Sequence, residues 1–305
     1  MTSRRPEPTC AEVEQACVQG RLITRGPLND TYEAELRGRR VFVRHRTTDD
    51  PEYGQTFAAE RHVAPLLDGA LRIPRVIQVV PDAGGRERYA VFEFVPGTPP
   101  DWTSRPVLRE LADALLRVHR IAGSGFGSVG AAPQRRPAAA LLADLIRAEA
   151  HRLPDGPERD RLGGSTVESA AHCFRGELPT LCHGDVHAGN FRTDRAGRFW
   201  VLDWEAARYR VPAADFNQLH DHWLSGGRQR VVLERYLERS GRDPLVFTRQ
   251  IRLLRLLWHL RTYNFHTLVR GEPTAAHRRH LDAAMRLSRA TGRAAGIREK
   301  VRSAT

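Results

Sequence analysis

The stretch Leu181-Cys-His183-Gly184-Asp185-Val186-His187-Ala188-Gly189-Asn190 gathers two imidazoles, a carboxylate and an amide in one short loop. Eighteen residues past Asp185, Val201-Leu202-Asp203-Trp204-Glu205 sets a second carboxylate directly behind a short apolar run. Such a set can handle a phosphate–metal complex. A carboxylate beside an acceptor hydroxyl can orient it and receive its proton. An amide oxygen and a further carboxylate can hold a divalent cation on phosphate oxygens, because hard cations take oxygen ligands and neither oxygen alone neutralises a triphosphate. Asp185 suits the first task, Asn190 and Asp203 the second. A turn satisfying its own amides would use Asp185 and Asn190 too, but it leaves Asp203 unexplained.

The gaps between His183, Asp185 and Asn190 match the catalytic-loop spacing of kinases. With Asp-Trp-Glu following, the segment resembles the aminoglycoside phosphotransferase and choline kinase family, small-molecule relatives of the protein kinases. The resemblance runs from about residue 20 to the end, with its specific part at 181–215. It implies an α+β, bilobal protein-kinase-like fold. Residues 1–95 would form a small N-terminal lobe of antiparallel β-sheet with a helix, and 96–305 a larger, mainly helical lobe. The hinge would lie at about 93–98, with a nucleotide in the cleft. The implied cofactors are ATP or GTP and Mg2+. Asp185 is then the catalytic base, and Asn190 and Asp203 are the magnesium ligands. Asp215, in Ala213-Ala214-Asp215-Phe216, matches a carboxylate that braces the loop. His183 joins the catalytic set as a buttress of that loop. His187 could reach substrate or metal, or make a structural hydrogen bond, and Glu205 fills the last place of Asp-Trp-Glu.

Those groups need a cation on the third strand to pair the nucleotide's α- and β-phosphates. The only lysine in the chain is Lys300, so an arginine must serve, and Arg44 at the end of Val41-Phe42-Val43-Arg44 is the candidate. Its forked guanidinium can meet phosphate in bidentate fashion, where lysine offers a point charge. Glu60, sixteen residues on and in a helix, would be its ion-pair partner. A nucleotide loop is expected over Gly26-Pro27-Leu28-Asn29-Asp30-Thr31, with Asn29 and Thr31 as the contacting residues. The backbone carbonyl of Glu93 and N–H of Val95 would meet the adenine edge.

The elements that must position these residues follow from period and punctuation. Short strands around turns are expected over 20–48, with Gly26-Pro27 and Gly38 as breaks, and further strands at Val76–Val80 and Tyr89–Val95. A helix is expected over Phe57–Leu67. After Pro96-Gly97 the spacing turns helical: Val107–His119, Ala138–Leu153, part of Gly163–Cys173, and the long Phe247–Val269, whose leucine-rich face reads as core.

At 305 residues the chain suits one large domain or two lobes. Apolar content of 41% and charged content of 28% are those of a folded protein. The net charge of +12 is nearly all arginine, scattered from Arg4 to Arg302. No zinc-finger spacing, RNA-binding motif or basic arm accompanies it, so composition accounts for the charge without a nucleic-acid partner. No apolar run spans a membrane and no secretory signal opens the chain. Four cysteines without C-x-x-C spacing fit a reduced, cytoplasmic protein. The expected partner is a small-molecule acceptor: an antibiotic or other hydroxylated metabolite. A choline- or sugar-type alcohol kinase of primary metabolism and a nucleotide-binding pseudokinase are the alternative readings.

Overall fold

The computed structural model describes residues 7–26, 29–48, 57–222, 224, 226–270 and 275–302. Its helices are α1 (Cys10–Gln19), α2 (Ala58–Leu67), α3 (Arg105–His119), α4 (Ala138–His151), α5 (Pro157–Arg161), α6 (Val167–Cys173), α7 (Ala213–His222), α8 (Gly227–Ser240), α9 (Pro244–Arg270) and α10 (Ala275–Arg302). Its strands are β1 (Arg21–Arg25), β2 (Asn29–Leu36), β3 (Arg39–Arg46), β4 (Val76–Pro81), β5 (Glu87–Glu93), β6 (Gly127–Ser128), β7 (Thr180–Cys182), β8 (Phe191–Thr193), β9 (Phe199–Val201) and β10 (Arg208–Arg210). The architecture is the two-lobed protein-kinase-like one, an antiparallel sheet lobe followed by a larger helical lobe.

Two compact units emerge from the packing: Met1–Glu110 with Ser128–Ala131 and His183–Ala207, and Leu111–Gly127 with Ala132–Cys182 and Arg208–Thr305. The segment bearing Asp185, Asn190 and Asp203 thus packs with the N-terminal sheet. That sheet has five antiparallel strands in the order β1-β2-β3-β5-β4. Strand alternation sorts its two faces. Val41 and Val43 of β3 and Tyr89 and Val91 of β5 point to a core shared with Val13, Ala16 and Cys17 of α1. Ala90 and Phe92 turn to the other face, where Phe57, Phe42 and Val79 pack. Arg44, one residue past Val43, is therefore delivered to the Phe42 face.

Helix α1 falls outside the elements expected from the sequence. Its buried residues, at i, i+3 and i+4, include an alanine and a cysteine, so the apolar period is faint until the sheet covers it. Thr9 and Glu12 form a capping box that fixes its start. Gly20 ends it where a Cβ would stand 2.7 Å from the Glu33 carbonyl oxygen, so only glycine permits that turn into β1.

The second unit has a helical core of Ile146, Ala170, Phe174, Leu253, Leu256, Leu257 and Leu260, drawn from α4, α6 and α9. The leucine-rich face of α9 is core, as its sequence suggests. Asp215, fully buried on α7, bonds His119 Nε2 at 3.0 Å, and the Tyr236 hydroxyl meets His119 Nδ1 at 2.8 Å. No helix among the described residues is long and apolar enough to cross a membrane.

Candidate active site

Gly184 opens the loop that carries Asp185. Its φ of +83° is left-handed, and a Cβ there would collide with the Ala206 carbonyl oxygen. His183 is buried beneath it. Its Nδ1 accepts the Asp185 backbone N–H at 3.2 Å, so the proton sits on Nε2, which donates to the Leu202 carbonyl at 2.8 Å. The imidazole ties the Asp185 loop to the residue before Asp203. It faces Trp204 and Phe191 rather than the cavity described below.

The Asn190 amide nitrogen donates to the Asp185 carbonyl at 2.8 Å and to Asp185 Oδ2 at 3.1 Å, which leaves Asn190 Oδ1 as its outward ligand atom. The Leu202 N–H returns to the Asn190 carbonyl at 2.8 Å, pinning the Asp185 loop to the approach to Asp203. Asp185 is half-exposed, with His187 Nε2 3.3 Å from Oδ2. Burial raises the Asp185 carboxyl, but the hydrogen bond and field of His187, helped by the Asn190 amide, outweigh it and hold the group below its ordinary range. The same bond lifts His187 above its ordinary value.

Asp203 has φ +64°, in the left-handed region that few residues besides glycine adopt, which marks a backbone held by its surroundings. Its Oδ2 lies 2.9 Å from Arg44 Nη2. The same guanidinium reaches Glu60 Oε1 at 3.1 Å and Glu205 Oε2 at 3.3 Å. Glu60 also accepts the Trp204 N–H at 3.3 Å, and the Asn29 side-chain amide donates to Glu205 at 2.7 Å. Arg44 is thus the hub of three carboxylates. Burial opposes its charge and the carboxylates outweigh burial, so it stays ionised.

Glu60 titrates instead. Burial pushes its carboxyl up to about 8, against the pull of Arg44. The folded chain then keeps this proton up to about pH 8, whereas the unfolded chain loses it above about pH 4.5. Its contribution to stability is complete below the lower value and is lost as pH climbs through the higher one. Glu60→Gln cannot ionise, so the wild type should lose stability relative to that variant between those two pH values. Thermal unfolding of both proteins across the window tests this, and parallel curves would show that Glu60 does not titrate there.

These residues line one cavity of about 500 Å³, within the range of small-molecule sites. Its apolar lining is Ile23, Phe42, Ile73, Phe92, Val95 and Leu202, and its polar lining the groups just described. Asn29 and Thr31 both line it; Pro27 and Leu28, between Gly26 and Asn29 in the expected nucleotide loop, lie outside the described residues. Glu93 ends β5 and its N–H donates to the Arg75 carbonyl at 3.0 Å. Three buried oxygens at the cavity have no protein partner: Asn29 Oδ1, Glu60 Oε2 and Asp203 Oδ1. Asn29 Oδ1 and Asp203 Oδ1, hard oxygen donors left unpaired in this way, fit a divalent cation and its ligands. Two participants were not assigned a role from the sequence. Glu205 bridges Arg44 and Asn29, and Arg192 also lines the cavity.

Residues 19–250 match the pattern of the phosphotransferase enzyme family. The chain belongs to that family. It is an ATP-dependent small-molecule kinase by that membership. No curated protein matches the sequence. Among solved structures, aminoglycoside phosphotransferase APH(2'')-Ib in its ADP-bound form is similar, with TM-score 0.65 and 16% identity over 93% of this chain and 99% of that one. Macrolide 2'-phosphotransferase MphH from Brachybacterium faecium gives TM-score 0.62 and 20% identity over 90% and 97%. A putative fructosamine-3-kinase from Haemophilus somnus 129PT gives TM-score 0.61 and 14% identity over 93% and 97%. At such identities the likeness is one of fold. ATP or GTP and metal dependence are typical of this phosphotransferase family.

Proposed function

We propose that this phosphotransferase moves the γ-phosphoryl group of ATP or GTP onto a hydroxyl of an antibiotic or other hydroxylated metabolite. Asp185 acts as the base, Asn190 and Asp203 hold Mg2+, and Arg44 meets the α/β end of the phosphates. The division of the Asp203 carboxylate carries this reading. One oxygen is fixed by Arg44, and the other is buried and without a protein partner among the described residues, in the cavity that Asn190 also lines. A bound divalent cation would supply charge neutralisation of the phosphates there.

The chain's own groups do the positioning. His183 and Asn190 fix the Asp185 loop from below and beside, so the carboxylate meets an acceptor hydroxyl at a set angle. The hydroxyl proton passes to Asp185 Oδ as the acceptor oxygen bonds the phosphorus and the bridging oxygen departs with the diphosphate. The apolar lining accepts the purine, with the Glu93 carbonyl and Val95 N–H at its edge. A relative of this fold is ADP-bound, which supports a nucleotide in that slot.

The acceptor reading draws on the second unit. The seven carboxylates between 144 and 177 could have welcomed a polycation, yet four of them are matched by arginines. Asp144 pairs with Arg136 and Arg147, Glu149 with Arg152 and Arg261, Asp155 with Arg159, and Glu177 with Arg242. That neutralisation favours a hydroxylated acceptor of low positive charge. A magnesium-dependent nucleotide-consumption screen across macrolides, aminoglycosides, peptide antibiotics, nucleosides, choline and sugars tests both parts. We expect turnover with a weakly charged acceptor. Best turnover with a polycationic aminoglycoside would overturn the acceptor reading, and nucleotide binding without turnover on any acceptor would favour a pseudokinase.

A further inference from the structure

Seven ionisable side chains line the cavity: Arg44, Glu60, Asp185, His187, Arg192, Asp203 and Glu205. Six of them answer one another. Arg44 meets three carboxylates and His187 meets Asp185. Arg192 differs. Its Nη1 donates to the backbone carbonyls of Gly189 at 3.0 Å and Phe191 at 2.8 Å, and among the described residues no carboxylate pairs with it. Burial lowers its proton affinity and no neighbouring charge restores it. A half-buried guanidinium without a counter-charge is costly, and one held in place by two carbonyls is built into its site.

Local structure explains its position. Phe191 and Arg192 are neighbours on β8, so their side chains point to opposite faces. Phe191 enters the core under Trp102 and Phe199, which turns Arg192 to the cavity. The bond to Gly189 folds the side chain back along the loop toward Asn190 rather than forward toward Thr193. Thr193 is itself fastened to Thr98 through paired backbone bonds of 2.9 and 3.1 Å. Among the described residues, Nε and Nη2 of Arg192 carry no other hydrogen bond, next to the loop that bears Asp185 and Asn190.

We propose that Arg192 is a second cationic contact for the nucleotide, its guanidinium fork supplying charge-assisted hydrogen bonds to the phosphates. A phosphate brings the missing counter-charge, and the planar fork suits its geometry. This inference rests on the nucleotide reading above and adds a binding residue to it. An anion on the acceptor is the other source of the same chemistry.

The test is equilibrium binding of Mg·ADP and of adenosine to the wild type, Arg192→Leu and Arg192→Lys, with thermal unfolding and steady-state kinetics alongside. Arg192→Leu should weaken ADP about tenfold or more, the value of losing a hydrogen bond to a charged group. Adenosine affinity should hold, and Arg192→Lys should fall between. Unchanged ADP affinity overturns the proposal. So does an equal loss of ADP and adenosine, which places the residue at the base or in the fold. A rise confined to the acceptor KM overturns it as well, by moving the contact to the acceptor. A wild type that binds no ADP would instead sink the nucleotide reading itself.

Discussion

Asp185→Asn lowers kcat by about 10²–10⁴, the usual contribution of a positioned general base, while nucleotide affinity stays near that of the wild type. The asparagine keeps the shape of the side chain and removes the acceptor for the hydroxyl proton. Asp185 is half-exposed at the cavity and ionised, its carboxyl held down by His187. The loss therefore falls on turnover and not on folding. A loss confined to kcat, with acceptor KM unmoved, identifies a group that acts in the transition state rather than in uniform binding. Single-turnover kinetics at saturating nucleotide and acceptor measure it. Turnover within a few-fold of the wild type would remove Asp185 from the chemistry.

Arg44→Met should have the largest effect on the molecule as a whole. The guanidinium meets the carboxylates of Asp203 and Glu205, whose side chains are 26% and 19% exposed, and its own side chain is 12% exposed. Removing one partner of a buried ion pair costs about 3–5 kcal/mol, because the other charge is left uncompensated. That is a large share of the roughly 5–15 kcal/mol that holds a domain folded. Urea unfolding of the protein alone should therefore show a marked loss of stability. Nucleotide affinity should fall with it, since the α/β contact goes too. Arg44→Lys should recover only part of both, because a single ammonium cannot meet three carboxylates at once. Wild-type stability in the methionine variant would mean that the carboxylates share their charge in some other way.

Much of this was readable in one dimension. The gap between Asp185 and Asn190, and the carboxylate at 203 behind an apolar run, are local features whose chemistry depends on residue type and spacing. The place of Arg44 in the cavity beside Glu60 was legible because strand alternation fixes which face each residue takes, and because the one lysine, Lys300, lies far along the chain from that strand. The leucine-rich core face of α9 showed in its helical period. What the sequence could not reveal are the properties created by contact between distant segments. Glu60 and Trp204 stand 144 residues apart, and their hydrogen bond joins α2 to the Asp203 loop. The raised Glu60 carboxyl follows from that burial, which no local window contains. Helix α1 gains its partner only once the sheet exists. Arg192 looks like any of the chain's many arginines until the cavity is assembled and, among the described charged residues that line it, Arg192 is the one without an ion-pair partner. Residue type and spacing determined the chemistry on offer; desolvation and long-range pairing, which exist only in three dimensions, decided the state of each group that would carry it out.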